Sequence, residues 1–408
     1  MKKFFTIITF ICLASYCADA QWYLFPGKKS KSKSKKEQET VEVKVDTVSA
    51  VDTAETFEEI IENTIEDAMY FFDPAPQVGV TLALPLNLSG QRPSNNFLDM
   101  YCGALIALRD LGESGRKVKL NVVDTSKDSL TVDVIRDNDI IIGPISFKDI
   151  SAIIDKIPNN KVIISPLEPR AADLVDSCNI VQSPVPWYRQ IDELATWIAQ
   201  DTQIADQIIV ISDNGAYPTG QQASRLMSKL REANLMFTVV RSLNDVTFEE
   251  NLNYRIVVAT DSDSFLAGAT RSVAIASQQF KNITLYSTSR VRSNISDNVS
   301  DLYNANTRLT TAYYIDYNAQ EVKDFVIKYR SFFHNEPGQF AFQGYDIVRY
   351  FVEMCDSYGR RWHKKLPEQS HRGLQSDFKF EQESGHGRIN TAVRKVIYSK
   401  DLTQTLVQ

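Results

Sequence analysis

The chain has 408 residues, 43% hydrophobic and 24% charged, the balance of a globular protein with room for two or three domains. Its net charge is −6, of which residues 77–408 carry about −2, so the body lacks the basic excess that nucleic-acid binding requires. Beyond the first twenty residues no apolar run approaches the ~20 residues needed to cross a bilayer, which excludes a transmembrane segment from the mature chain.

Lys2 and Lys3 precede an apolar run from Phe4 to Ala14, and Ala18-Asp19-Ala20 offers small residues at a cleavage site. This is the layout of a secretory signal peptide over residues 1–20, and it predicts export to the periplasm or cell envelope. Leu13-Ala14-Ser15 also resembles the start of a lipobox that would anchor the chain at Cys17, but Tyr16 stands where a small residue is wanted. Cleavage after Ala20 leaves Cys102, Cys178 and Cys355, enough for one disulfide at most, with no preferred pair. As small hydrophobes, all three are expected to be buried.

Residues 28–36 are a lysine-serine repeat with six lysines, and an acid-rich stretch follows. With few large apolar residues, residues 21–54 read as a tether. Its lysines serve as a solvated spacer or as a contact for anionic lipid or polymer. Asp46-Thr47-Val48 and Asp52-Thr53-Ala54 fit a pattern that some bacteria O-glycosylate. Residues 55–72 read as an amphipathic helix: Phe57, Ile60, Ile61, Ile65, Ala68, Met69 and Phe72 share one face, and Glu58, Glu59, Glu62, Glu66 and Asp67 the other. It should dock on the body or on a partner.

From Gln77 the chain alternates apolar strands with amphipathic helices. Strands are expected at Val78–Leu84, Val118–Val123, Asp139–Ile142 and Val162–Ile164, with helices at Phe97–Leu111 and Ile150–Ile157. After Ser183-Pro184-Val185-Pro186, whose prolines suit a stiff hinge segment, the pattern restarts. Helices are expected at Trp187–Ala199, Gln221–Ala233 and Phe265–Phe280, and strands at Ile208–Ile211, Phe237–Val240, Ile256–Ala259 and Ile283–Tyr286. A β-rich run (Leu309–Tyr317), two helices (Val322–Phe333, Phe340–Cys355) and two strands (Asp377–Phe380, Ala392–Tyr398) close the chain. Continuous apolar strands between helices imply parallel sheets covered on both faces. The fold class is therefore α/β, with two Rossmann-like lobes. Lobe 1 is expected to hold residues 77–185 and 308–358, and lobe 2 residues 186–307 and 359–408.

Ligands of open parallel sheets sit beyond the carboxyl ends of the strands. The loops there carry Ser146, Ser165, Asp213-Asn214-Gly215-Ala216-Tyr217, Asp261 and Ser289-Arg290, which can recognise a small molecule by hydrogen bonding. Taken singly, each of these polar residues is as well explained by helix capping or turn formation. The sequence holds no H-E-x-x-H, G-x-S-x-G, G-x-G-x-x-G or P-loop pattern, so no enzyme activity and no cofactor are expected. Asp261-x-Asp263 suits a cap better than a cation site. The four histidines, His334, His363, His371 and His386, read as exposed loop residues and no metal site.

Several motifs fall in an order that resembles the type I periplasmic solute-binding proteins of ABC transporters, the branched-chain amino-acid binders above all. They are Leu84-Pro85-Leu86, Phe97-x3-Tyr101-x-Gly103-Ala104, Asp139-Ile140-Ile141-Ile142-Gly143-Pro144, Ile164-Ser165-Pro166 and Phe340-Ala341-Phe342-Gln343-Gly344-Tyr345-Asp346. The resemblance implies two lobes joined by three crossovers with ligand between them, Ser146 and Ser165 lining the first lobe and Tyr217 and Asp261 the second. It also exposes departures. Leu167, Glu168, Pro169 and Arg170 stand where the amino-acid binders have small residues and a hydroxyl. Ser289 and Arg290 stand where those proteins place a carboxylate for the ligand's ammonium. A desolvated amino acid needs both its charges paired, so Arg170 or Arg290 would suit an anionic or polar ligand instead. The expected partners are such a molecule in the cleft, with a membrane permease or an envelope protein beyond it. The same fold also serves envelope lipoproteins that activate peptidoglycan synthases, and a tethered scaffold or regulator is the alternative reading.

Overall fold

The computed structural model describes residues 77–407 except 91, 175–178, 295–298 and 383–386. The signal segment, Cys17, the tether with its two Asp-Thr motifs, the helix expected over 55–72, Cys178 and His386 lie outside the described residues.

Strand β1 (Gln77–Leu84) is buried from Val78 onward, which its small and apolar side chains permit on both faces. Helix α1 (Asn95–Glu113), β2 (Lys117–Asp124), α2 (Val132–Asp137), β3 (Ile140–Ile142), α3 (Phe147–Ile153), β4 (Ile163–Ser165) and β5 (Ile180–Gln182) follow. Strands β2, β1, β3, β4 and β5 lie side by side in that order, all parallel. The winding then repeats in α4 (Trp187–Asp201), β6 (Gln207–Ile211), α5 (Gln221–Glu232), β7 (Phe237–Val240), β8 (Tyr254–Val258) and α6 (Asp263–Gln279). It continues through β9 (Ile283–Thr288), α7 (Arg290–Asn294), α8 (Ser300–Asn304) and β10 (Arg308–Thr311). Here β7, β6, β8, β9 and β10 are parallel neighbours.

The chain next returns to the first sheet. Helices α9 (Gln320–Phe333) and α10 (Gln339–Tyr358) share its core with α1. After α11 (Trp362–Lys365), strands β11 (Ser370–Arg372), β12 (Asp377–Glu381) and β13 (Arg388–Asn390) extend the sheet beyond β5. Strands β14 (Arg394–Tyr398) and β15 (Gln404–Val407) complete the second sheet, with β14 antiparallel to β10. Three crossings therefore join the lobes, after β5, β10 and β13.

The pairing corrects the expected lobe boundaries. Strand β10 bonds to β9 and β14, so residues 308–311 belong to the second lobe. Strands β11, β12 and β13, expected there, lie in the first sheet beside β5. Strands of three residues, such as β5, β11 and β13, carry too little periodicity to assign from sequence, and their lobe is decided by partners far away in the chain.

Helices α1 and α10 touch backbone to backbone: a Cβ on Gly103 would overlap the Ala341 carbonyl oxygen, and one on Gly344 that of Met100. Cys102 is half-buried and Cys355 buried. Burial and the nearby Asp99 push the Cys102 thiol up to about 12.

Two histidines are less exposed than expected. His371 stacks near Tyr350 and Phe378, and His363 lies half-buried beside Trp362. Burial, together with Arg388, Lys364, Arg361 and Lys161, lowers His363 to about 4. The folded chain thus binds fewer protons here than the unfolded chain, whose imidazole titrates near 6.5. The resulting stability is full above about pH 6.5 and is lost as pH falls towards 4. His363→Gln should therefore flatten the acid limb of thermal stability between pH 7 and pH 4.5, by up to about 3 kcal/mol. Identical acid limbs in the two proteins would refute this.

Candidate functional site

The crossings determine which edges of the two sheets face each other. Strand β13 runs parallel to β5, so Asn390 and Gln182 end at the same edge of the first sheet. In the second sheet Thr311, the last residue of β10, pairs with Arg394, the first of β14. The carboxyl-terminal edges of both parallel sheets therefore meet at the waist, where the strand-end loops gather.

On the first lobe, Ser146 caps α3: its Oγ accepts from Asp149 N at 3.1 Å and donates to Asp149 Oδ2 at 2.7 Å. Ser165 is 0% exposed, and its hydroxyl has no hydrogen-bond partner among the described residues. Arg170 is exposed, but it donates to Glu168 through Nε at 3.0 Å and Nη2 at 3.1 Å and lies 4.7 Å above the Phe147 ring. Glu168 also accepts from Phe147 N and Arg170 N, and the Arg170 guanidinium leads in holding its carboxyl below the usual range.

On the second lobe, Tyr217 is 87% exposed in the loop between β6 and α5. Asp261 accepts from Gln222 N at 3.3 Å and Ala223 N at 3.0 Å, capping α5 from a neighbouring loop, while Ser262 caps its own helix α6. Arg290 donates to the carbonyls of Thr260 and Asp261, each at 2.7 Å, and pairs with Asp263 at 2.5 Å. Ser289 Oγ donates to Gln190 Oε1 at 2.9 Å. Arg290 also borders a cavity of about 30 Å³ with Gln222, Thr260, Ser287 and Thr288, room for one or two waters. The structure thus brings Asp261, Ser289 and Arg290 onto one edge of the second lobe, and Ser146, Ser165 and Arg170 onto one edge of the first.

The waist itself is a buried polar network. Asn390 Nδ2 donates to Ser183 O at 2.8 Å, tying the third crossing to the first. Gln190 Nε2 donates to Val185 O, and Thr310 Oγ1 to Gln190 O. Asp346, 2% exposed on α10, accepts from the backbone of Leu374, Gln375 and Ser376 at 2.7–2.9 Å. Burial raises its carboxyl to about 6, against the pull of those three donors and of Arg394. Arg394, also 2% exposed, donates to the carbonyls of Tyr314, Leu374 and Gly373 and pairs with Asp377 at 2.6 Å. The strand-end rule that selects ligand loops does not reach Asp346 and Arg394, which lie inside α10 and at the start of β14. The available signals were the polar pair Gln343 and Asp346 on the core face of an apolar helix, and an arginine opening an alternating strand.

No protein-family profile matches the chain, and no curated protein does. Solved structures do. A branched-chain amino acid ABC transporter protein from Rhodospirillum rubrum is 15% identical, with a TM-score of 0.56 over 82% of this chain and 100% of that one. A substrate-binding protein from Desulfitobacterium hafniense, solved with Leu, is 16% identical at a TM-score of 0.47, covering 81% and 100%. The C-domain of LpoA from Haemophilus influenzae, a regulator of PBP1A, is 14% identical at 0.47, covering 82% and 100%. The first of these likenesses shows the fold: two mixed, mostly parallel sheets arranged as in the type I periplasmic binding proteins.

Proposed function

We propose that this chain is an exported binding protein, not an enzyme, that closes two hinged lobes on a small polar molecule, as in ABC-transporter solute binding. What supports this reading is the meeting of both carboxyl-terminal sheet edges at a waist crossed three times, with Tyr217 projecting from one lobe and Ser146 exposed on the other. Closure would follow from a ligand that touches both lips only in the shut form, so that its differential affinity sets the open–closed balance. Glu168 and Asp263 already neutralise Arg170 and Arg290. A neutral polar molecule therefore suits these lips better than a free anion or an amino acid. A permease would be the next partner, and the segment over residues 1–20 supports a periplasmic or envelope location.

A second reading, a cell-envelope scaffold or regulator akin to the peptidoglycan-synthase activators, draws support from a different observation. Ser165 is sealed, and Gln343 Nε2 donates to the neighbouring Pro166 O beneath the lip. In that reading the partner is a protein that binds the outer surface. Thermal shift against pooled amino acids, peptides, sugars and muropeptides separates the two. A true ligand at 100-fold excess over Kd adds about 2.7 kcal/mol of stability. Silence across all four pools would reject solute binding and leave the scaffold.

A further inference from the structure

The loop at residues 373–376, between β11 and β12, has its two polar sides turned to different lobes. Its N–H groups at Leu374, Gln375 and Ser376 donate to the Asp346 carboxylate on α10 of the first lobe. Its carbonyls at Gly373 and Leu374 accept from Arg394, which opens β14 of the second lobe. The carbonyl of Gln375 accepts from Tyr314 N at 3.0 Å, in the second crossing. The Asp346 carboxylate comes so close that a Cβ on Gly373 would stand 2.7 Å from its Cγ. The loop peptides thus lie between a buried anion and a buried cation. Each hydrogen bond polarises the peptide for the next, so loosening one side weakens the other. The relay also reaches the first-lobe lip. Gln343 accepts from Gln375 Nε2 at 2.9 Å and from Ser376 Oγ at 3.2 Å while donating to Pro166 O at 3.3 Å, one residue after Ser165.

We infer that Arg394, loop 373–376 and Asp346 form a latch that sets the angle between the lobes, and that Gln343 connects this latch to the first-lobe lip. Arg394 and Gln343 are positioning residues, and neither need touch a ligand. This deepens the proposed function and rests on it only where lobe closure is put to use. The ligand-free protein is therefore the right sample, and a failed ligand screen leaves the test intact.

Amide hydrogen exchange on the full mature chain reads the latch. Arg394→Lys keeps a cation beside Asp377, but one ammonium cannot serve three carbonyls and a carboxylate together. Exchange at Leu374, Gln375 and Ser376 should rise roughly tenfold, although Arg394 touches none of these N–H groups. In the reverse direction, Asp346→Asn should speed exchange at Tyr314 by a similar factor. Core amides of both lobes, Val80 and Val210, should rise by a clearly smaller factor than residues 374–376, and the largest dimension from solution scattering should increase in Arg394→Lys. Unchanged exchange at residues 374–376 would overturn the latch. So would a rise shared equally by the core amides, which marks global loosening, or an unchanged scattering profile.

Discussion

Arg394→Met should cost about 3 kcal/mol of stability, the lower end of the range for breaking a buried ion pair, because Asp377 keeps partial access to water. The guanidinium is 2% exposed and serves Asp377 and the carbonyls of Tyr314, Leu374 and Gly373. Methionine fills comparable space, so the loss is electrostatic: Asp377 and three carbonyls are left without their donor. Adding Asp377→Asn to Arg394→Met should restore part of the stability, because it removes the stranded charge. Urea denaturation followed by fluorescence measures both variants. A loss under about 1 kcal/mol in the single variant would mean that water reaches the waist and that the network contributes little.

Gly103→Ala and Gly344→Ala should each cost about 3 kcal/mol, the upper range for overpacking a close contact. In both cases the added methyl meets a backbone carbonyl of the facing helix, which cannot rotate away as a side chain would. Helices α1 and α10 would have to separate, opening the core that holds Phe342, Tyr345 and Phe351. Gly112 supplies the matched control. It lies in α1 as well, but a Cβ there meets nothing within 4 Å. Gly112→Ala should be neutral or stabilising by up to about 1 kcal/mol, since alanine outranks glycine in a helix. Equal effects at positions 103 and 112 would show that helix propensity, and not the close approach, governs these glycines.

The candidate site was only half legible. Ser146 and Asp261 lie on strand-end loops, and Arg290 opens α7 two residues after β9 ends. Their side chains nevertheless satisfy helix ends and neighbouring carbonyls. Capping and ligand binding call for the same residue types at the same places, so composition cannot separate them. Arg170 shows the limit from another side. Its pairing with Glu168, two residues away, depends on a short helical turn over Pro169–Leu174 that brings the two side chains together. The polar core of the waist went unseen because its members come from distant stretches. Gln343 and Asp346 meet residues 374–376, and Arg394 meets Tyr314, across separations of about 30 and 80 positions.

What the sequence determined by itself was the local pattern: apolar strands such as Ile140-Ile141-Ile142, amphipathic helices such as α4 and α5, and their alternation in two wound series. Period and burial are properties of neighbouring residues, so a one-dimensional reading reaches them. The lobe that receives β10 and β11–β13, and the polar side chains that satisfy one another at the waist, are set by strand pairing and packing in three dimensions. Both depend on hydrogen bonds between residues far apart in the chain, and no local periodicity encodes such a partner.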